Sequence, residues 1–246
     1  YAMKRLLAAG SGAIFQLCKA FRLDEVGIRH NPEFTMLEWY QPNFDHHQLM
    51  DEMDELLQCV LKTPTAERVS YKELFARYLS IDPHLINIEN LQSIASIHQL
   101  DVQANIDDVD TWLMLLMSHV IEPQIGRERP IFIYDFPVSQ SALARIQPTT
   151  PPVASRFEVY FKGMELANGF HELQDAKEQR RRFEANLKTR REQNLDVLPI
   201  DENFLAALEH GLPACAGVAL GVDRLMMLAL EKDNIRDVIS FDFERI

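Results

Sequence analysis

Cysteine is scarce in this 246-residue chain: Cys18, Cys59 and Cys215 are far apart and odd in number. That excludes a disulfide framework and a four-cysteine zinc site, and it favours a reducing compartment. Long apolar runs are missing too. The longest, Trp112–Met117, is about a third of the ~20 residues that span a bilayer. No charged n-region leads into an apolar h-region, so a secretory signal is absent from the sequence given. Positive charge is in deficit, with 25 Lys+Arg against 37 Asp+Glu and a net charge of −12. This disfavours non-specific nucleic-acid binding and leaves room only for a local basic groove. There is no G-x-x-x-x-G-K-[ST] loop, no G-x-G-x-x-G after a strand, no internal repeat and no low-complexity tract. What remains is an ordinary globular composition, 47% hydrophobic and 25% charged, long enough to bury a sizeable core. A soluble, cytoplasmic enzyme is the expectation.

The order of elements is readable. Tyr1–Ala9 is helix-like from its first residue, which points to a further segment ahead of it. Ile14–Phe21 and Glu33–Tyr40 read as strands of a hairpin, joined by a charged loop at Arg22–Asn31. Asp45–Leu61 has helical apolar spacing, and Ser70 with Glu73 forms a capping box opening a short helix. Helical patterns without strand signal, notably Asp108–Ile121, suggest a small helical insertion at about 80–128. Strands return at Ile131–Phe136, Arg156–Lys162 and Met164–Phe170, with a proline loop at Pro148–Pro152 that cannot join a ladder. Asp175–Gln193 and Asp201–His210 read as helices, and Gly217–Leu220 runs directly into a last one. The fold class expected is α+β, a mostly antiparallel sheet flanked by helices.

Polar residues on strand faces come next. Alternation puts Phe34, Met36, Glu38 and Tyr40 on one face, and Asn168, Phe170 and Glu172 on another. Carboxylates beside aromatic rings suit an ammonium ligand; a solvated edge face is the alternative. Glu158 and Glu165 suit Mg²⁺ and phosphate oxygens, with solvent-facing glutamates as the alternative. Their parities differ, so a bulge or turn near Gly163 is required for them to converge. Arg22 and Arg224 are the basic residues, the latter at a helix start where the dipole disfavours it, which makes sense if an anion lies between them. Gly217 and Gly221 permit close backbone approach to a ligand. His46-His47 reads as exposed, His171 as packing away from the pocket, and Arg180–Arg182 as a solvated helix face, with a docking patch the alternative.

Together these pieces resemble the catalytic domain of class II aminoacyl-tRNA synthetases. F-R-L-D (Phe21–Asp24) with R-H-N-P-E-F-T-M-L-E-W-Y (Arg29–Tyr40) looks like motif 2, and G-V-A-L-G-V-D-R (Gly217–Arg224) looks like motif 3. H-N-P-E-F-T-M-L-E and E-L-A-N-G-F-H-E-L (Glu165–Leu173) are similar to the lysyl subclass, and the M-K-R-L-L-A-A-G opening to its protein-modifying paralogues. The likeness covers nearly all of residues 1–246. It implies Arg22 on the α-phosphate and Arg224 on the γ-phosphate of ATP, Phe34 stacked on adenine, and Asp24, His30 and Gly221 in secondary ATP roles. Glu158 and Glu165 would hold Mg²⁺; Glu38, Tyr40, Asn168, Phe170, Glu172 and Ala219 would form the pocket for a lysine-like substrate. Ala219 replaces a motif 3 glycine of lysyl-tRNA synthetases, and one methyl is worth about 1–3 kcal/mol of discrimination.

With that departure, the resemblance to the protein-modifying paralogues implies (R)-β-lysine as the amino acid and a lysine side chain of elongation factor P as the acceptor, with no tRNA binding. Asp24 stands where motif 2 has glutamate, and Leu23 where it has a polar residue. Motif 1, which builds the family's homodimer, would lie ahead of Tyr1. Two other readings are a lysyl-tRNA synthetase domain charging tRNA, and a lysine- and ATP-binding regulator without catalysis.

Overall fold

The computed structural model describes residues 1–23, 25–102 and 106–245. Its centre is an eight-stranded sheet: β1 (Ile14–Phe21), β2 (Glu33–Pro42), β3 (Glu67–Ser70), β4 (Ile131–Pro137), β5 (Ile146–Gln147), β6 (Val153–Phe161), β7 (Met164–His171) and β8 (Cys215–Gly221). The order is β1-β2-β8-β7-β6-β4-β3, with β5 beside β6. Every pairing is antiparallel except β3 with β4. The short strands β3 and β5 were not foreseen.

The helices are α1 (Ala2–Ala8), α2 (His46–Leu61), α3 (Tyr71–Leu79), α4 (Ile88–Ile97), α5 (Val109–Leu116), α6 (Ala176–Glu192), α7 (Glu202–Gly211) and α8 (Val222–Ala229). Local chemistry sets several of their starts. Asp45 caps α2 in a capping box with Gln48, and Ser70 caps α3 in another with Glu73. Asp108, Asp175 and Asp201 cap α5, α6 and α7. No helix among the described residues is long and apolar enough to cross a membrane.

The two faces of the sheet do different things. One is dry: Trp39, Phe157, Val159, Ala216, Val218 and Leu220 pack on Leu49, Met50, Met53 and Leu57 of α2 and on Leu225 and Met227 of α8. The other face is flanked at both ends. At one end α1 and α7 bury Leu7, Phe204, Leu205 and Leu208 against Cys215 and Tyr40. At the other, α3, α4 and α5 share a buried cluster with Ile131, Ile133 and Tyr160. The polar cleft lies between these two clusters.

Candidate active site

Register places the polar residues in rows across the second face. Gln16 pairs with Glu38, Glu38 with Ala219, Ala219 with Asn168, and Asn168 with Glu158. One rung further, Tyr40 pairs with Gly217, Gly217 with Phe170, and Phe170 with Arg156. Partners in register point to the same side, so five strands, some distant in sequence, deliver one surface. The hairpin turn at Lys162-Gly163 has positive φ at both residues, 49° and 66°, the geometry that matches strand twist. The register shift falls just beyond it: Val159 pairs with Ala167 and Tyr160 with Glu165, leaving Leu166 as the extra residue. This shift brings Glu165 to the side of Glu158.

A cavity of about 190 Å³ opens at this surface, lined by Arg22, His30, Phe34, Glu165, Asn168, Phe170, Ala219, Gly221 and Arg224, together with Glu25, Arg29 and Asp223. Glu38, Tyr40, Glu172 and Glu158 do not line it; they continue the same sheet face behind it. Asp24 lies outside the described residues.

At the cationic end, the Arg22 guanidinium sits 5.3 Å from the Phe34 ring centroid and 3.4 Å from Glu25. Arg224 donates from Nη1 to the Glu165 carbonyl at 2.8 Å and meets His30 Nε2 at 2.6 Å. Partial burial and the Arg224 charge both lower the His30 pKa, so the ring is neutral and Nε2 accepts. Asp223 ties α8 to β2 by accepting from the Thr35 backbone N–H at 2.6 Å.

At the acidic end, both oxygens of Glu158 are held. Arg156 Nη2 pairs with Oε1, and the Tyr160 hydroxyl donates to Oε2 at 2.7 Å. Arg156 also donates from Nε to Asn168 at 3.3 Å and from Nη1 to the Gln140 carbonyl at 2.8 Å, with its guanidinium 4.5 Å from the Phe136 ring. It is a site residue that the sequence reading passed over, although it stands two positions before Glu158 on the same strand face. Burial, and then the Glu158 charge, raise the Glu165 carboxyl above its ordinary range. Lys4 is the second omission: its Nζ lies 2.5 Å from Glu172 Oε2, and both side chains are buried. Gln16 Nε2 donates to Glu38 at 3.0 Å.

Gly217 corrects an expectation. A Cβ there would lie 2.3 Å from Tyr40 Cε1 and 2.8 Å from Glu172 Oε1, so its missing side chain admits the protein's own Tyr40 and Glu172. At Gly221 a Cβ would meet only ordinary van der Waals contacts, the nearest at 3.8 Å. His46 is buried, not exposed, 3.5 Å from Asp135, with its ring 6.4 Å from that of His171. His171 faces away from the pocket, as its parity requires. Arg180 pairs with Glu202, while Arg181 and Arg182 pair with Glu178.

An antiparallel sheet carrying two arginines, an aromatic platform and paired carboxylates on one face is the equipment of an enzyme that handles a nucleotide and an amino acid. The family of class II tRNA synthetases (D, K and N) matches residues 2–245, and the chain belongs to it. Among individual proteins, it is 55% identical over its whole length to the elongation factor P–(R)-β-lysine ligase of Pectobacterium carotovorum, spanning 76% of that protein. It is 57% identical over 99% of its length to the protein so named in Vibrio cholerae, and 56% over 98% to that in Haemophilus influenzae. These alignments span 75% and 74% of the two relatives.

Proposed function

We propose that this chain activates (R)-β-lysine with ATP as the acyl-adenylate and transfers it to a lysine side chain of elongation factor P in the cytoplasm. The observation that carries this reading is the row Glu38–Ala219–Asn168. It places the Ala219 methyl between the two pocket strands, where a lysine-specific tRNA synthetase has only hydrogen. The names of the relatives at 54–57% identity support the same reaction.

The substrate carboxylate is ionised at neutral pH, its pKa being near 4, so adenylation needs no general base. The task is positioning and charge neutralisation. Arg22 and Arg224 stand at one end of the cleft, where an ATP phosphate chain would lie against them and Phe34 would offer a face to adenine. His30 and the Glu165 carbonyl hold the Arg224 guanidinium in place. Two converging carboxylates, one with a raised pKa, fit a divalent cation. Glu165 and Glu158 would hold Mg²⁺, which when bound neutralises phosphate charge. In the second step the acceptor amine must be neutral, and desolvation in the cleft favours that form.

A homodimer fits the exposed apolar side chains of edge strand β1: Phe15, Leu17 and Phe21 are 75%, 61% and 72% exposed. The test is ATP–pyrophosphate exchange with (R)-β-lysine against α-lysine, followed by transfer to elongation factor P. Preference for β-lysine is expected. A clear preference for α-lysine with transfer to tRNA would overturn the reading, and exchange with neither isomer would leave only a binding protein.

A further inference from the structure

Lys4 is a buried cation for which the proposed chemistry has no use. It stands on α1 at 3% exposure, against Glu172 at 1%. Its helix neighbours Met3 and Leu7 are core residues, and the Phe204 ring lies 5.7 Å from its ammonium. Removing two charges from water is costly, and an apolar pair of similar volume usually packs at least as well. Stability therefore does not explain the pair. The carboxylate's other oxygen is more informative. Oε1 has no hydrogen-bond partner among the described residues, and it stands over Gly217 beside the Tyr40 ring, one rung from Glu38 and Ala219.

We propose that Lys4 is a specificity-determining positioning residue: by occupying Oε2 of Glu172 it leaves Oε1 alone to receive the terminal ammonium of the substrate. The inference rests on the lysine-activating function above. A single free oxygen suits a primary ammonium, a compact point charge, and fails a planar guanidinium, whose fork needs both oxygens. Lys4 also favours the charged form of its partner. Burial pushes the Glu172 carboxyl up, and Lys4 is the strongest influence in the opposite direction. The other side chains acting on it are Glu38, Tyr40 and Cys215.

The test compares wild type, Lys4→Met, Glu172→Gln and the double variant in ATP–pyrophosphate exchange. Each is assayed with the lysine isomer that wild type prefers and with the same acid lacking its terminal amine (3-aminohexanoate for β-lysine, norleucine for α-lysine). Lys4→Met should cut the preference for the amine at least tenfold, mostly through KM. Glu172→Gln should do the same, and the double variant should lose no more than either single one. Equal losses on both acids, with the preference intact, would show a merely structural role and overturn the proposal, as would losses that add. Should Lys4→Met fail to fold, the double variant against Glu172→Gln decides: a lower preference in the double variant refutes action through Glu172. Lysine-independent exchange by wild type would overturn the functional reading and this assignment with it. Lysine-dependent exchange with selectivity surviving Lys4→Met overturns this assignment alone.

Discussion

Two glycines of the sheet offer a paired experiment, because each faces a ring at the same distance on opposite sides. A Cβ on Gly217 would lie 2.3 and 2.4 Å from Tyr40 ring carbons and 2.8 Å from Glu172 Oε1; a Cβ on Gly169 would lie 2.3 and 2.4 Å from Phe157 ring carbons. Neither glycine has a positive φ, so the substitution Gly→Ala tests space and not backbone strain. Overpacking of this kind costs about 1–3 kcal/mol. At roughly 2–4 °C per kcal/mol for a chain of this size, both Gly217→Ala and Gly169→Ala should lower Tm by about 2–12 °C. Their kinetics should part. Phe157 belongs to the dry face under α2, whereas Tyr40 and Glu172 belong to the proposed substrate pocket. A displacement of about 1 Å there costs up to ~10²-fold, so Gly217→Ala should raise the KM for the lysine isomer tenfold or more. Gly169→Ala should leave it within about threefold, allowing for ordinary packing relaxation. Scanning calorimetry and ATP–pyrophosphate exchange on both variants measure the two effects. Equal kinetic losses, or a Gly217→Ala variant that melts early with a normal KM, would refute the placement of Tyr40 and Glu172 in the pocket.

Three further outcomes follow from the same geometry. Ala219→Gly should shift the ratio of kcat/KM from β-lysine toward α-lysine by about 5- to 150-fold, the equivalent of about 1–3 kcal/mol; a ratio that stays put removes Ala219 from specificity. Arg156→Met strips the cation from buried Glu158 and should cost about 3–5 kcal/mol along with most exchange activity, read by urea melts and kinetics; retention of both would deny its bridging role. Burial, with the Arg145 and His46 charges, depresses the His171 pKa to about 4, so the unfolded chain binds more protons between pH 6.5 and 4. Stability is therefore full above about pH 6.5 and falls as pH drops toward 4, by on the order of 1 kcal/mol once partial exposure is allowed for. His171→Gln should flatten that slope in pH-dependent melts.

What could be read from the chain follows from the range of the forces involved. β1 was found at its true limits because an aromatic and apolar run follows the Gly10–Gly12 turn, α2 because its apolar spacing is helical, and the start of α3 because its capping box is local. β3 and β5, of four and two residues, are too short to show a period and form only because β4 and β6 are there to pair with. Parity demanded a bulge or turn near Gly163 between Glu158 and Glu165, and the structure puts the extra residue just past that turn, at Leu166. His46 is at the first turn of an amphipathic helix, where exposure is the usual outcome; its burial comes from Asp135 and His171, far away in sequence. Arg156 was within reach of the same alternation that singled out Glu158. Lys4 was not, since its partner is 168 positions away.

The pairing of charges inside the cleft also orders the roles of its carboxylates. Glu172 has Lys4, and Glu158 has Arg156 and Tyr160. Glu38 is met only by the neutral amide of Gln16, and Glu165 by no cation in direct contact among the described residues. Buried or half-buried carboxylates without a cation are the ones that gain most from acquiring one. On the proposed function, Glu165 beside Arg224 would take a metal, and Glu38, in the row with Ala219 and Asn168, would take an ammonium of the amino acid. The two ammonium groups of a lysine isomer would then divide between Glu38 and Oε1 of Glu172, with the carboxylate left toward Arg22. Moving one amine by a single carbon changes the fit at Glu38 and leaves the Glu172 end untouched. Discrimination between α- and β-lysine should therefore respond to changes at Glu38 and Ala219, and selection for the terminal amine to changes at Glu172 and Lys4. The two selectivities should vary independently across the variants described above.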